Sequence, residues 1–232
     1  MLMYQEDMEI IYNNILFKGL EEDIVKEVCK KAEGYEKEFS RGQMLFQEGD
    51  LIKQMGILIT GEVRVCRLEL DGGEKLLQKL RPTFLVGADI VCTPSQISPY
   101  TAYADERSRI WYFPYENIKN PGKIPEEARR HMKERLLEFI ANENIRKLYK
   151  VDMLSAANGR EKILKYLMIQ CRKAGSRQIQ IPYNREELAS YLCMNRTVLS
   201  HTLSQMEKEG ILSFKKNRFW LKDLDSENME RK

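Results

Sequence analysis

The amino-acid sequence predicts an α+β protein in three parts: an all-β barrel or sandwich, a long helix and a C-terminal winged helix–turn–helix. Three observations carry this. Turn residues punctuate residues 38–112 at short intervals. A long run from Pro125 to about Asp152 has a broad apolar face. The stretch "NREELASYLCMNRTVLSHTLSQMEKEGIL", Asn184 to Leu212, reads as two helices with almost nothing between them, and a basic hairpin follows it.

With 232 residues, the chain has room for one large domain or two smaller ones. Apolar residues make up 43% and charged residues 31%, the balance of a soluble globular protein. The start "MLMYQEDMEI" has no cationic end and no long apolar run, so no signal peptide is expected. No apolar segment approaches bilayer-spanning length, so the expected location is the cytoplasm, away from membranes. The five cysteines, Cys29, Cys66, Cys92, Cys171 and Cys193, are odd in number and widely spaced. That argues against a disulfide framework and against a CxxC-type metal site, and favours structural thiols. No metal and no cofactor is expected.

The formal net charge of +3 hides an asymmetry. Residues 155–222 hold 13 Lys+Arg against 5 Asp+Glu, a net of +8, whereas residues 1–154 hold 23 against 26, a net of −3. Basic charge is concentrated in the segment that contains the two-helix stretch.

In the first part, the breaks are "RG" at Arg41, "EGD" at Glu48, "TGE" at Thr60, "DGG" at Asp71 and "RPT" at Arg81. Turn signals at this spacing suggest a barrel or sandwich. In "EVRVCRLEL", alternation puts Val63 and Val65 on one face, with Glu62 and Arg64 on the other. The first thirty or so residues look helical, with Ile24, Val25 and Val28 at helical spacing.

"NPGKIPEE" ends this part at Asn120. Pro125 suits the first turn of the long helix, and Glu126 and Glu127 complement its positive end. Its apolar face is Met132, Leu136, Phe139, Ile140, Ala141, Ile145, Leu148 and Val151. Such a face can pack on its own β domain. The helix is too long for one small domain to cover, so a helix–helix dimer seam is also expected.

The last part begins with a short alternating strand in "RQIQIP". Asn184 stands three residues before Glu187, the spacing of a capping box, so a helix starts there. Leu188 and Leu192 form its inner face, and Ala189 lets a second helix approach. Asn195 is a good N-cap for that second helix, in which Leu199, Leu203 and Met206 face inward. Thr197, Ser200, His201 and Ser204 fall on the other side, with Arg196 at its start. Arginine offers two donors to a guanine edge, short hydroxyls reach bases or phosphates, and an acid would be repelled by phosphate. In "ILSFKKNRFWLKD", Phe214 and Phe219 flank a turn with Lys215, Lys216 and Arg218 near its tip. A helix–turn–helix followed by a basic hairpin is a winged helix. The bland alternative is an amphipathic helical hairpin with a solvated face.

"ELASYLCMNRTVLSHTLSQMEKEGIL" resembles the helix–turn–helix of the Crp/Fnr family, the cyclic-AMP-receptor-like bacterial transcription regulators. "FSRGQMLFQEGDLIKQMGILITGEVRV", "DGGEKLLQKL" and "FLVG" resemble that family's cyclic-nucleotide-binding-like β-roll, a jelly roll. The long helix stands where the family has its dimerisation helix. The resemblance covers nearly the whole chain and implies a sensor domain over 1–118, a dimerisation helix over 119–152 and a DNA-binding domain over 153–232. It implies a homodimer on a palindromic promoter site, with RNA polymerase and a small-molecule effector as further partners. Arg185 matches a phosphate-contacting arginine. Arg196, Thr197, Ser200 and His201 match positions that read bases or phosphates, with Asn195 beside them. His201 stands where arginine is usual and Thr197 where glutamate is common. The cytosine readout that glutamate supports is therefore lost, and a different half-site is expected.

The sensor departs further. Members that bind cyclic AMP hold the ribose with a glutamate and the phosphate with an arginine. In "LVGADIVCTPSQISPYTAYA", Ala88 replaces the glutamate and Tyr100 falls at the arginine. A cyclic phosphate would be left unpaired in a partly dry pocket. The pocket implied by the resemblance is lined by Val86, Gly87, Ala88, Tyr100, Thr101, Leu136 and Phe139, and takes an uncharged or hydrophobic small molecule, or nothing. Cys29 alone cannot hold an iron–sulfur cluster. His131, the single histidine outside the recognition helix, reads as a solvated or capped side chain rather than a haem ligand. Two alternatives stay open: a cyclic-nucleotide-binding regulatory protein, and a redox-sensing regulator acting through a thiol such as Cys92. No Gly-rich phosphate loop, ligand cluster or nucleophile–base motif suggests an enzyme.

Overall fold

The computed structural model describes residues 5–69 and 72–222. By its internal contacts the chain divides into two compact units, Met1–Ile145 and Arg146–Lys232. The first unit begins with α1 (Gln5–Tyr12) and α2 (Glu22–Lys31). Strands β1 (Tyr35–Phe39), β2 (Met44–Phe46), β3 (Gln54–Thr60), β4 (Val63–Leu68), β5 (Glu74–Leu80) and β6 (Leu85–Val86) follow. A single turn, α3 (Ala88–Val91), leads to β7 (Thr101–Ala104), β8 (Ser108–Pro114), the short α4 (Glu116–Lys119) and the long α5 (Glu126–Leu154), within which the division falls.

Two antiparallel four-stranded sheets form the β-roll, in the orders β1-β8-β3-β6 and β2-β7-β4-β5. Between them lies a core of Phe39, Phe46, Leu58, Val63, Val65, Leu80, Val86, Ala102 and Ile110, contributed by both sheets. The other face of the first sheet carries Met55, Ile57, Ile59, Trp111 and Phe113. It is covered by Ile11, Phe17, Val25, Val28, Met132 and Leu136 from the helical segments. This sheet is therefore buried on both sides, which is why "MGILI" in β3 is apolar without alternation.

The alternation read in β4 holds for Val63 and Val65 and then breaks. The register against β5 shifts between Val65 and Cys66, and both residues are buried. The extra residue is Leu77 on β5, between the partners of Val65 and Cys66, while β4 keeps a regular register against β7.

The apolar face of α5 proves to be two stripes. Met132 and Leu136 are buried in the first unit's core and Phe139 packs against it, which accounts for the first half of the expected face. Leu137, Ile145, Leu148 and Val151 are instead exposed, as is Ala141.

The second unit holds the end of α5, then α6 (Gly159–Ala174), β9 (Gln178–Gln180), α7 (Arg185–Tyr191), α8 (Arg196–Lys208), β10 (Leu212–Lys215) and β11 (Arg218–Leu221). Asn158 caps α6 by accepting from Glu161 N, and Gly175 ends it in the left-handed conformation. The helix α8 packs on α6 and α7, and the strands form a sheet in the order β10-β11-β9. Tyr166, Tyr183 and Tyr191 cluster, with ring centroids 4.7–6.2 Å apart. Lys150 Nζ, from the end of α5, lies 3.9 Å from the Tyr191 ring centroid, a cation–π contact.

Candidate nucleic-acid interface

The site begins with two caps. Asn184 Oδ1 accepts from Glu186 N and Glu187 N, and the Glu187 carboxylate accepts from Asn184 N at 2.8 Å: the capping box that the spacing predicted. Asn195 Oδ1 accepts from Thr197 N at 2.8 Å and starts α8. The Asn195 side-chain oxygen is thus used in positioning the helix rather than held out toward a base. Leu199, Leu203 and Met206 are fully buried beneath it, which fixes which face looks outward.

That outward face carries Thr197, His201 and Ser204, all exposed, with Ser200 half-buried. The Arg196 side chain is 66% exposed at the helix start. Two neighbours escaped the sequence reading. Val198 is an exposed apolar side chain beside Thr197. Glu186, on α7, places its carboxylate 3.9 Å from Arg196 Nη1. Looking along α8 alone shows no acid near its start; the fold supplies one from the preceding helix. Cys193, in the turn between the helices, takes φ +52, a left-handed conformation rare for a residue with a Cβ.

The wing is a tight hairpin in which Phe214 pairs with Phe219 and Lys215 with Arg218. Lys215, Lys216 and Arg218 are exposed. Arg185, expected to contact phosphate, packs against the wing in the free chain. Its guanidinium lies 4.8 Å from the Phe214 ring and 5.7 Å from the Phe219 ring, and donates to the Lys216 carbonyl at 3.3 Å. Burial lowers its pKa from the ordinary value. The side chain joins α7 to the wing. Replacing Arg185 by Ala is expected to speed amide exchange at Lys215–Arg218 by about tenfold, since a cation–π contact is worth ~1 kcal/mol or more when desolvated. Unchanged exchange would show that the wing holds its place without Arg185.

In the first unit, the cassette residues make contacts of their own. The Tyr100 hydroxyl donates to Asp89 Oδ1 at 2.6 Å, so a tyrosine–carboxylate pair stands where the resemblance places an arginine. Ala88 is buried, and Thr101 Oγ1 accepts from Glu48 N at 3.1 Å. Gly87 precedes α3 at φ +74. Leu136, Phe139 and Ala88 belong to the helix-facing cluster, whereas Val86 and Tyr100 belong to the inter-sheet cluster. A cavity of about 290 Å³ opens beside β1 and β3, and of the seven expected pocket residues only Val86 lines it.

Four of the five thiols are made poorer nucleophiles by burial. Burial pushes Cys29 up to about 12 and Cys66 up to about 11, and also raises Cys92 and Cys171. His131 Nε2 donates to the Lys18 carbonyl at 3.1 Å. Among the described residues, no group of three or more His, Cys, Asp or Glu side chains is placed to hold a metal ion, and no helix is long and apolar enough to cross a membrane.

A jelly roll, a long helix and a winged helix with a basic hairpin define a DNA-binding regulator that carries a sensor-type domain. Residues 36–120 match the model of the cyclic nucleotide-binding domain, and residues 161–226 match that of the Crp-like helix-turn-helix domain. The chain is 24% identical over 185 residues to the fumarate and nitrate reduction regulatory protein of Shigella dysenteriae, covering 77% of this chain and 71% of that one. Two solved structures share its fold. One is FixK2 from Bradyrhizobium japonicum, with a TM-score of 0.62, 18% identity and coverage of 82% of this chain and 93% of that one. The other is the c-di-GMP-responsive global regulator CLP of Xanthomonas campestris, with a TM-score of 0.68, 15% identity and coverage of 88% and 100%. The chain belongs to the Crp/Fnr family of transcription regulators.

Proposed function

We propose that the protein is a homodimeric regulator whose two α8 helices read a palindromic promoter site, in the cytoplasm and together with RNA polymerase. Residues 1–118 act as the sensor, 119–152 as the dimerisation helix and 153–232 as the DNA-binding domain. Its role is regulatory rather than catalytic. The observation that carries the reading is the outer face of α8: Arg196, Thr197, Ser200 and His201 stand over a buried Leu199–Leu203–Met206 stripe, beside a wing tipped with Lys215, Lys216 and Arg218. The wing cations contact phosphate, Arg196 reaches a base edge, and Asn195 orients the helix. Arg185 contacts phosphate from its place against the wing. The effector is a small molecule other than cyclic AMP, a reading favoured by the Tyr100–Asp89 pair, whose carboxylate would repel a cyclic phosphate.

Titrations on specific and scrambled duplexes at several salt concentrations test this. Arg196→Ala is expected to cost about 1–3 kcal/mol on the specific duplex and much less on the scrambled one. Each wing cation replaced by Ala weakens both duplexes alike and lowers the salt slope by about one unit. Equal losses for Arg196→Ala on the two duplexes would move Arg196 into the phosphate-contacting group.

A further inference from the structure

We infer that the β-roll carries a binding site for a small amphiphilic carboxylate, in the cavity between β1, β3 and the segment that follows β2. The site is built from the inner face of the first sheet. Tyr35, Lys37 and Phe39 alternate along β1, and across the register Tyr35 faces Tyr112 and Lys37 faces Ile110. Gly56 on β3 stands opposite Tyr112 on the other side. A Cβ at Gly56 would come within 2.5 Å of Ile110 and 2.9 Å of the Tyr112 ring. The glycine is what lets the ring lie flat against β3 and form one wall of the cavity.

The cavity, about 290 Å³, is at the small end of ligand sites and suits an occupant of about ten heavy atoms. Phe39, Phe46, Ile52 and Val86 give it apolar walls, and the Tyr112 hydroxyl, Lys37 and Lys53 border it. Both lysines are exposed at its mouth. Among the described residues, neither lysine ammonium has an ion-pair partner and the Tyr112 hydroxyl has no hydrogen-bond partner; Lys37 Nζ only lies 4.9 Å from the Phe39 ring centroid. Three other cations of the same unit are paired: Arg109 with Asp7 and Glu36, Lys79 with Glu62 and Asp105, Arg107 with Glu38. Burial raises the Tyr112 pKa, so its hydroxyl stays protonated and serves as a neutral donor. One neutral donor and two ammonium groups beside an apolar chamber fit a carboxylate head on an apolar body. Sequence alone suggested an uncharged occupant, because it looked only at the cassette; Ala88, Tyr100 and Thr101 do not line this cavity.

The inference rests on the proposed sensor role of the roll and names the chemistry of its effector. Calorimetry of the full chain with hexanoate and benzoate tests it, with hexanol and benzyl alcohol as uncharged counterparts. DNA affinity of the ligand-free protein is measured in parallel. Both acids are expected to bind at about 1 mM or tighter and the alcohols at least tenfold more weakly. The exposed-lysine variant Lys37→Gln/Lys53→Gln lowers acid affinity about tenfold and leaves the alcohols unchanged; Tyr112→Phe lowers acid affinity by a smaller factor. Silence toward the acids up to about 10 mM, equal binding of acids and alcohols, or indifference of the lysine variant would overturn the inference. Failure of the ligand-free protein to bind any duplex would instead sink the DNA-reading proposal, and the titration would still decide the cavity.

Discussion

A Leu148→Asp/Val151→Asp variant is expected to run as a monomer where the parent runs as a dimer. It should lose about 10²–10⁴-fold in affinity for a duplex carrying two half-sites, because the second half-site is no longer held by a linked partner. Leu148 and Val151 are 62% and 61% exposed in the single chain. With Leu137, Ala141 and Ile145 they recur at i, i+4, i+8, i+11 and i+14, one stripe on α5. A second copy of the same stripe would cover it and bring two α8 helices about one DNA turn apart, roughly 34 Å. Aspartates there would set like charges against each other in an apolar seam. Light scattering reads the oligomeric state, and anisotropy on one-site and two-site duplexes reads the linkage. A variant that stayed dimeric, or a parent that was monomeric at working concentration, would remove α5 as the seam.

Arg109→Met is expected to cost the first unit about 3 kcal/mol, the low end of the range for breaking a buried ion pair. Arg109 Nη2 donates to Asp7 Oδ1 at 2.5 Å and Nη1 to Glu36 Oε1 at 2.9 Å. The Asp7 and Glu36 side chains are only 6% and 14% exposed, so removing the guanidinium leaves two carboxylates facing each other without a counter-charge. The bond to Asp7 is also the largest cause of the raised Arg109 pKa. Urea unfolding followed by Trp111 fluorescence, in a Trp220→Phe background, reports this unit alone. Neutralising all three, with Asp7→Asn and Glu36→Gln added, should recover most of the loss. A cost below about 1 kcal/mol for Arg109→Met would mean that water already satisfies the carboxylates.

The elements with strong local signals were legible in the sequence. The capping box at Asn184, the N-cap at Asn195 and the inward Leu199–Leu203–Met206 stripe follow from spacings of a few residues, and they stand in the fold as read. The start of α5 was equally plain, since Pro125 and two glutamates mark it. What escaped depends on residues far apart in the chain. Glu186 meets Arg196 only because α7 and α8 cross; Arg185 meets Phe214 and Phe219 only because the wing folds back over α7. The split of the α5 face could not be seen either, because which stripe is covered depends on strands some twenty to eighty residues upstream. The bulge at Leu77 of β5, opposite the step from Val65 to Cys66, has no composition signal at all.

The doubly covered first sheet has a consequence for how the chain comes to be folded. Its outer layer is supplied from both ends of the unit: Ile11 and Phe17 from the start, Met132 and Leu136 from α5. Such contacts close loops of more than a hundred residues, the kind of topology that slows folding. During synthesis the N-terminal segments can cover part of this face, and the part that Met132 and Leu136 cover stays exposed until α5 has been made. In a series of stalled nascent chains, protease resistance of the roll is expected to appear only once residues through Leu136 have left the ribosome. Resistance appearing before α5 emerges would show that the sheet is stable without its helical cover. The helix proposed to face a partner copy is thus also the last piece of the first unit's core, which ties completion of that unit to the synthesis of α5.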